Sequence, residues 1–149
     1  CTGMNHNEMK TGQHIAKVEL DINASPEDVW QGLTSPEAVK QYMMGAKLET
    51  DWKEGSPMAG KGEFKGRAFE DKGTVLRAVK PEHLAYSHLS MGEKDSAENY
   101  HKVDIRLAAG ENGTHLTLTQ DNNATEAARA GSEKNWKLMM EGLKKVVEG

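Results

Sequence analysis

The sequence predicts an α+β fold: a curved antiparallel sheet of six to seven strands around one long C-terminal helix, with two short helices after the first strand. Three observations predict it. Residues 16–22 alternate apolar and polar side chains with period two, the mark of a strand buried on one face. Two helix-start signals, Ser25-Pro26 and Ser35-Pro36, follow at once. The segment from Thr125 onward, TEAARAGSEKNWKLMMEGLKKVVEG, repeats its apolar residues at helical spacing.

In the first strand Ala16, Val18, Leu20 and Ile22 face one way and Lys17, Glu19 and Asp21 the other. Ser25 N-caps the first helix, with Pro26 at its first position and Asp28 one turn along; Val29, Trp30 and Leu33 make its apolar stripe. Ser35-Pro36-Glu37 repeats the signal for a second short helix through Ala38, Val39 and Tyr42. Four segments then read as strands: Ala46–Trp52, Met58–Arg67, Gly73–Val79 and Leu84–Ser90. Gly, Pro and Asp/Lys turns separate them, and Pro81-Glu82 breaks the chain before the last. Gly60, Gly62 and Gly66 fit bulges in a curved sheet better than a phosphate cradle, which needs a helix start behind it. Tyr100–Ala108 and Thr114–Asp121 form a hairpin across Glu111-Asn112-Gly113, since Asn-Gly tolerates positive φ.

On the terminal helix Trp136, Met139, Met140, Leu143, Val146 and Val147 occupy one arc of about 120°. Trp136 is expected to anchor the helix in the sheet, and Trp30 to fill the space between the small helices and the sheet. Ala128 and Ser132 lie on the same line but are small, which leaves room over the N-terminal half. Room between a helix and a concave sheet makes a cavity. Leu138 lies off the stripe, a candidate surface contact or homodimer contact. This element order is that of the helix-grip fold.

At 149 residues the chain suits one domain with a substantial core, with residues 1–14 as a flexible N-terminal tail and 15–149 as a single domain. A net charge of −4, with Lys and Arg interleaved among Asp and Glu, argues against a nucleic-acid partner. No apolar run is long enough for a transmembrane segment, and no signal-peptide pattern is present. Cys1 is the only cysteine, so no internal disulfide forms and a cytoplasmic location is the simplest reading. Cys1 is read either as a remnant ahead of a start at Met4 or Met9, the favoured reading, or as a lipidated N-terminus.

The residues that could carry chemistry lie on the last three strands. Leu84, Tyr86 and His88 share a face; so do His101, Val103, Ile105 and Leu107. Facing both sets to one core pairs Leu84 with Ile105, Tyr86 with Val103 and His88 with His101 about a turn near Lys94. Gln120 then falls beside Val103 or Ile105. Tyr86, His88, His101 and Gln120 become the polar members of an apolar wall, the usual composition of a small-molecule site. A hydrogen-bonded network that binds nothing is the competing reading. If the wall encloses a cavity, both imidazoles are buried. Trp52, Met58, Phe64 and Met139 are the candidate apolar lining, and Met43-Met44 could add to it. No metal is implied, because no third ligand is placed beside the two histidines; His14 and His115 are read as facing solvent and His83 as lying at a turn. No GxSxG, P-loop or dinucleotide fingerprint is present, and no catalytic residue or cofactor is assigned.

ASPEDVWQGLTSPEAV, TDWKEGSP, FEDKGTVL, ENYHKVDIRL, GTHLTLTQDNN and SEKNWKLMMEGLKK, taken in order, resemble one bacterial family. It is the family of homologues of the activator of the 90-kDa heat-shock chaperone ATPase, in the SRPBCC (START-like) superfamily. The resemblance spans roughly Ile15 to Glu148 and implies a helix-grip domain, ligand binding, or action on a chaperone. Members similar to this chain often carry an aromatic shortly after the SP of GSP, where this chain has Ala59-Gly60. Two function classes follow. The first is a non-enzymatic protein binding a small apolar molecule with a polar end. The second is a chaperone-ATPase regulator or other protein-interaction module, which would be expected to carry a second domain that 149 residues do not accommodate. An enzyme of the cyclase or hydrolase type ranks third.

Overall fold

The computed structural model of the chain describes residues 14–42, 47–64, 67–89 and 99–148. Strand β1 is Ala16–Ile22, followed by helices α1 (Pro26–Thr34) and α2 (Pro36–Tyr42). Strands β2 (Lys47–Glu49), β3 (Pro57–Phe64), β4 (Arg67–Val79), β5 (His83–His88), β6 (His101–Gly110) and β7 (Gly113–Gln120) follow, and helix α3 spans Glu126–Glu148. The seven strands form one antiparallel sheet in the order β1-β7-β6-β5-β4-β3-β2. The helix-grip expectation is met.

Local chemistry sets the element ends. The Ser25 hydroxyl accepts from the Asp28 N–H at 3.2 Å, and the Thr125 hydroxyl accepts from the Ala128 N–H at 3.0 Å. The C-terminus of α1 has a deficit built into its sequence. Pro36 has no N–H to offer the Gly32 carbonyl four residues back. The Tyr42 hydroxyl donates there instead, at 2.9 Å, and the Trp52 indole N–H donates to the Thr34 carbonyl at 3.1 Å. Two side chains from later in the chain thus finish the helix.

The core lies between the concave face and the helices. Val75, Leu84, Val103, Ile105, Leu116 and Leu118 project from the sheet; Val29, Leu33 and Val39 meet them from α1 and α2. Helix α3 packs against β1, α1 and α2 rather than across the central strands. It also covers the free edge of β1, an edge that would otherwise offer unpaired donors. Glu133 accepts from the Lys17 N–H at 3.0 Å, and Glu148 accepts from the Asn23 N–H at 2.7 Å.

Three expectations change. The segments read as Met58–Arg67 and Gly73–Val79 are instead β3 and a long β4 that begins at Arg67. Asp71-Lys72-Gly73 is not a turn. Gly73 lies in mid-strand because the β5 backbone crosses so near that a Cβ there would sit 1.8 Å from the Ser87 carbonyl oxygen. Trp136 is half-buried and packs against the core, and the fully buried residues of α3 are Met140 and Leu143, one turn on. Ala128 is exposed, so the space beside the small residues of α3 opens to solvent. Ala59-Gly60 does not leave a void either, since a Cβ on Gly60 would stand 3.3 Å from a Leu48 methyl. The 1–13 segment with Cys1, Met43-Met44, Gly66, Ser90 and the turn near Lys94 lie outside the described residues.

Candidate functional site

Strand register assembles the polar wall. Tyr86 pairs with Val103, Val103 with Gln120, and His88 with His101, a register that keeps the parity of the alternation and selects Val103 over Ile105 as the partner of Gln120. Tyr86, His88, His101 and Gln120 therefore occupy two adjacent rows of the concave face. A fifth member joins them. Asp71 on β4 lies on the same face as Val75, and its carboxylate oxygen stands 3.1 Å from His88 Nε2. It was missed from sequence because its neighbourhood reads as a turn.

The groups differ in how fully the protein uses them. Gln120 is consumed: Trp136 Nε1 donates to its Oε1, and its Nε2 donates to Asn123 Oδ1 at 3.4 Å. Asn123 Oδ1 also accepts from the Ser132 hydroxyl at 2.8 Å, and Asn123 Nδ2 donates to the His14 carbonyl at 2.7 Å. This network fixes the middle of α3 to the end of β7, and Asn123 is a second residue that sequence patterning did not single out. His88 and His101 each hold one protein partner, Asp71 and the Asp121 carbonyl, the latter 3.0 Å from His101 Nδ1. Their ring centroids are 6.3 Å apart. The His88 side chain is 32% exposed and His101 is also partly exposed.

Tyr86 is unlike the others. It is only 7% exposed, yet among the described residues its hydroxyl has no hydrogen-bond partner. No fully sealed side-chain nitrogen or oxygen among those residues lacks a partner, so the Tyr86 oxygen keeps some contact with solvent. Burial pushes its pKa up, so the phenol stays neutral and can donate or accept. Burial first, and the neighbouring Tyr86 second, also raise Tyr42.

Of the apolar candidates, Met58 is buried and Met139 is half-buried against the core. Trp52 is half-buried with φ of 59°, its indole N–H committed to α1. Phe64 ends β3 opposite Arg67, and its side chain is outside what the structure describes.

The convex face carries a shallow groove lined by Arg77, His83, Arg106, His115 and Thr117. Its charges are matched locally: His83 lies 2.8 Å from Asp104, His115 2.8 Å from Asp21, and Arg106 3.2 Å from Asp104. It reads as a salt-linked surface. Among the described residues no helix is long and apolar enough to cross a membrane.

Comparison with known proteins gives a consistent picture. Residues 23–148 match the family described as Activator of Hsp90 ATPase homolog 1-like protein. The solution structure of ChR145 from Cytophaga hutchinsonii is 51% identical, with a TM-score of 0.78 over 90% of this chain and 93% of that one. Protein CV1439 from Chromobacterium violaceum (19% identity, TM-score 0.75, 91% and 98% coverage) shares the fold. So does CalU16 from Micromonospora echinospora (20% identity, TM-score 0.66, 89% and 74% coverage). No curated protein gives a significant match.

Proposed function

This chain belongs to the Activator of Hsp90 ATPase homolog 1-like family, and from that premise we propose that it is a non-enzymatic binding protein for a small, largely apolar molecule with a polar end. The family and fold support a ligand-binding or regulator-type domain. The Tyr86 hydroxyl carries the choice between them: a nearly buried polar group, unpartnered by protein and keeping some contact with solvent, is what a ligand's polar end would complete. Residues 15–149 act as one domain in this reading. Met58 and Met139 supply adaptable apolar contact, together with Trp52 and Phe64. Tyr86, His88 and His101 meet the polar end, while Gln120 holds the wall in place through Trp136. A cytoplasmic location accords with the single cysteine.

A thermal-shift screen of fatty acids, sterols, polyketide-like aromatics and isoprenoids tests this. A binder present at a hundredfold excess over its Kd stabilises by about 2.7 kcal/mol, a plainly visible rise in Tm. No rise with any class contradicts the proposal. The family description favours a second reading, regulation of a chaperone ATPase. Stimulation of a purified 90-kDa chaperone's ATPase by this chain, with no small-molecule shift, would move the conclusion there.

A further inference from the structure

Resting on the concave-face reading, we propose that the polar end of the ligand is a neutral hydroxyl, alcohol or phenol, and not a carboxylate. Proton placement on the two imidazoles selects the hydroxyl. His101 Nδ1 faces the Asp121 carbonyl oxygen at 3.0 Å. A carbonyl only accepts, so Nδ1 carries the hydrogen and the lone pair of the neutral ring sits on Nε2. His88 Nε2 faces the Asp71 carboxylate at 3.1 Å, so that nitrogen carries the hydrogen and the lone pair sits on Nδ1. Among the described residues neither remaining nitrogen has a partner. The two rings stand opposite each other across β5 and β6 with centroids 6.3 Å apart. The wall therefore offers two acceptor nitrogens and the Tyr86 hydroxyl, while the Asp71 carboxylate is engaged by His88.

A carboxylate brings only acceptors to such a wall. It would meet two lone pairs and could offer them no proton. An ammonium could donate, but it would shed its hydration against an otherwise apolar lining. A hydroxyl donates to an imidazole nitrogen and accepts from Tyr86, and it carries no charge to desolvate. Were both rings protonated, the wall would offer donors and select the carboxylate instead, so the order of affinities decides the matter.

The test is a ladder of four probes on one apolar chain: decanol, decyl methyl ether, decanoate and decylamine. Each is titrated into the full chain at a pH where free imidazole is neutral, with Trp52 and Trp136 fluorescence as the readout. Decanol should bind about tenfold more tightly than the ether, which lacks the donor, and more tightly than decanoate or decylamine. His101→Phe and His88→Phe, checked for a native melt, should each bring the decanol-to-ether ratio down toward one. Should either variant not fold, the ladder on the unaltered chain decides alone. Decanoate equal to or tighter than decanol, or the alcohol and ether indistinguishable, overturns the hydroxyl assignment while the concave-face reading stands. Binding by none of the four overturns that reading, and the assignment with it.

Discussion

Two buried tyrosines provide a matched pair for asking whether a hydroxyl is held by the protein or kept for something else. Tyr42 and Tyr86 are each 7% exposed, and both phenols are pushed up in pKa by burial. They differ in their partners. The Tyr42 hydroxyl donates at 2.9 Å to the Gly32 carbonyl, which Pro36 cannot serve. Tyr42→Phe removes that bond and strands a buried acceptor, at a cost of about 1–3 kcal/mol. Tyr86→Phe deletes a hydroxyl that serves no protein group, so the ligand-free protein should change by no more than about 0.5 kcal/mol. Urea denaturation measures both, with the comparison made on midpoints at unchanged slope. At about 2–4 °C per kcal/mol for a chain of this size, a thermal melt resolves the difference. A Tyr86→Phe loss as large as that of Tyr42→Phe would refute the reasoning, because the hydroxyl would then have a partner in the folded protein.

Three further outcomes follow from the packing and the ion pairs. Leu143→Ala, fully buried on α3, should cost about 2–5 kcal/mol, whereas Leu138→Ala, 61% exposed, should stay within about 0.5 kcal/mol; equal losses in urea would show that the helix face is misplaced. Gly73→Ala should destabilise severely or prevent folding, because its Cβ would meet a backbone oxygen at 1.8 Å that no rotamer change relieves; a native-like melt would contradict the crossing of β5. Glu148 is held below the usual carboxylate range, chiefly by Lys144 and then by the Asn23 N–H. Its contribution is complete above the unfolded value of about 4.3 and is lost as pH falls through the lower folded value. Glu148→Gln should therefore flatten the acid limb of a stability-against-pH curve, and an unchanged limb would show that the tie between α3 and β1 is unimportant.

Much of the wall was legible because period-two alternation fixes parity. Once Leu84 and Ile105 pair facing inward, His88 falls opposite His101. What escaped was tertiary. Asp71 was hidden because Asp-Lys-Gly has turn chemistry, while the real demand on Gly73 comes from a neighbouring strand more than ten residues away. That the Trp52 indole N–H serves the end of α1 depends on a contact eighteen residues away in the chain. The missing Pro36 N–H announces an orphan carbonyl in the sequence, yet nothing local says that Tyr42 will answer it. The helical stripe shows which residues of α3 face the core, but not that Met140 and Leu143 lie deepest while Trp136 reaches Gln120 on β7.

The central claim is that the concave face around Tyr86, Met58 and Met139 receives a small apolar molecule. Its most direct test is NMR on protein carrying ¹³C-methyl methionine and labelled tyrosine rings, titrated with decanol. The account predicts that the Met58 and Met139 methyls shift together along one saturable curve, with intermolecular NOEs from the alkyl chain to the Tyr86 ring. Saturating decanol that leaves both methyls unmoved, or NOEs confined to Val79 and Ala108 on the convex face, would contradict it.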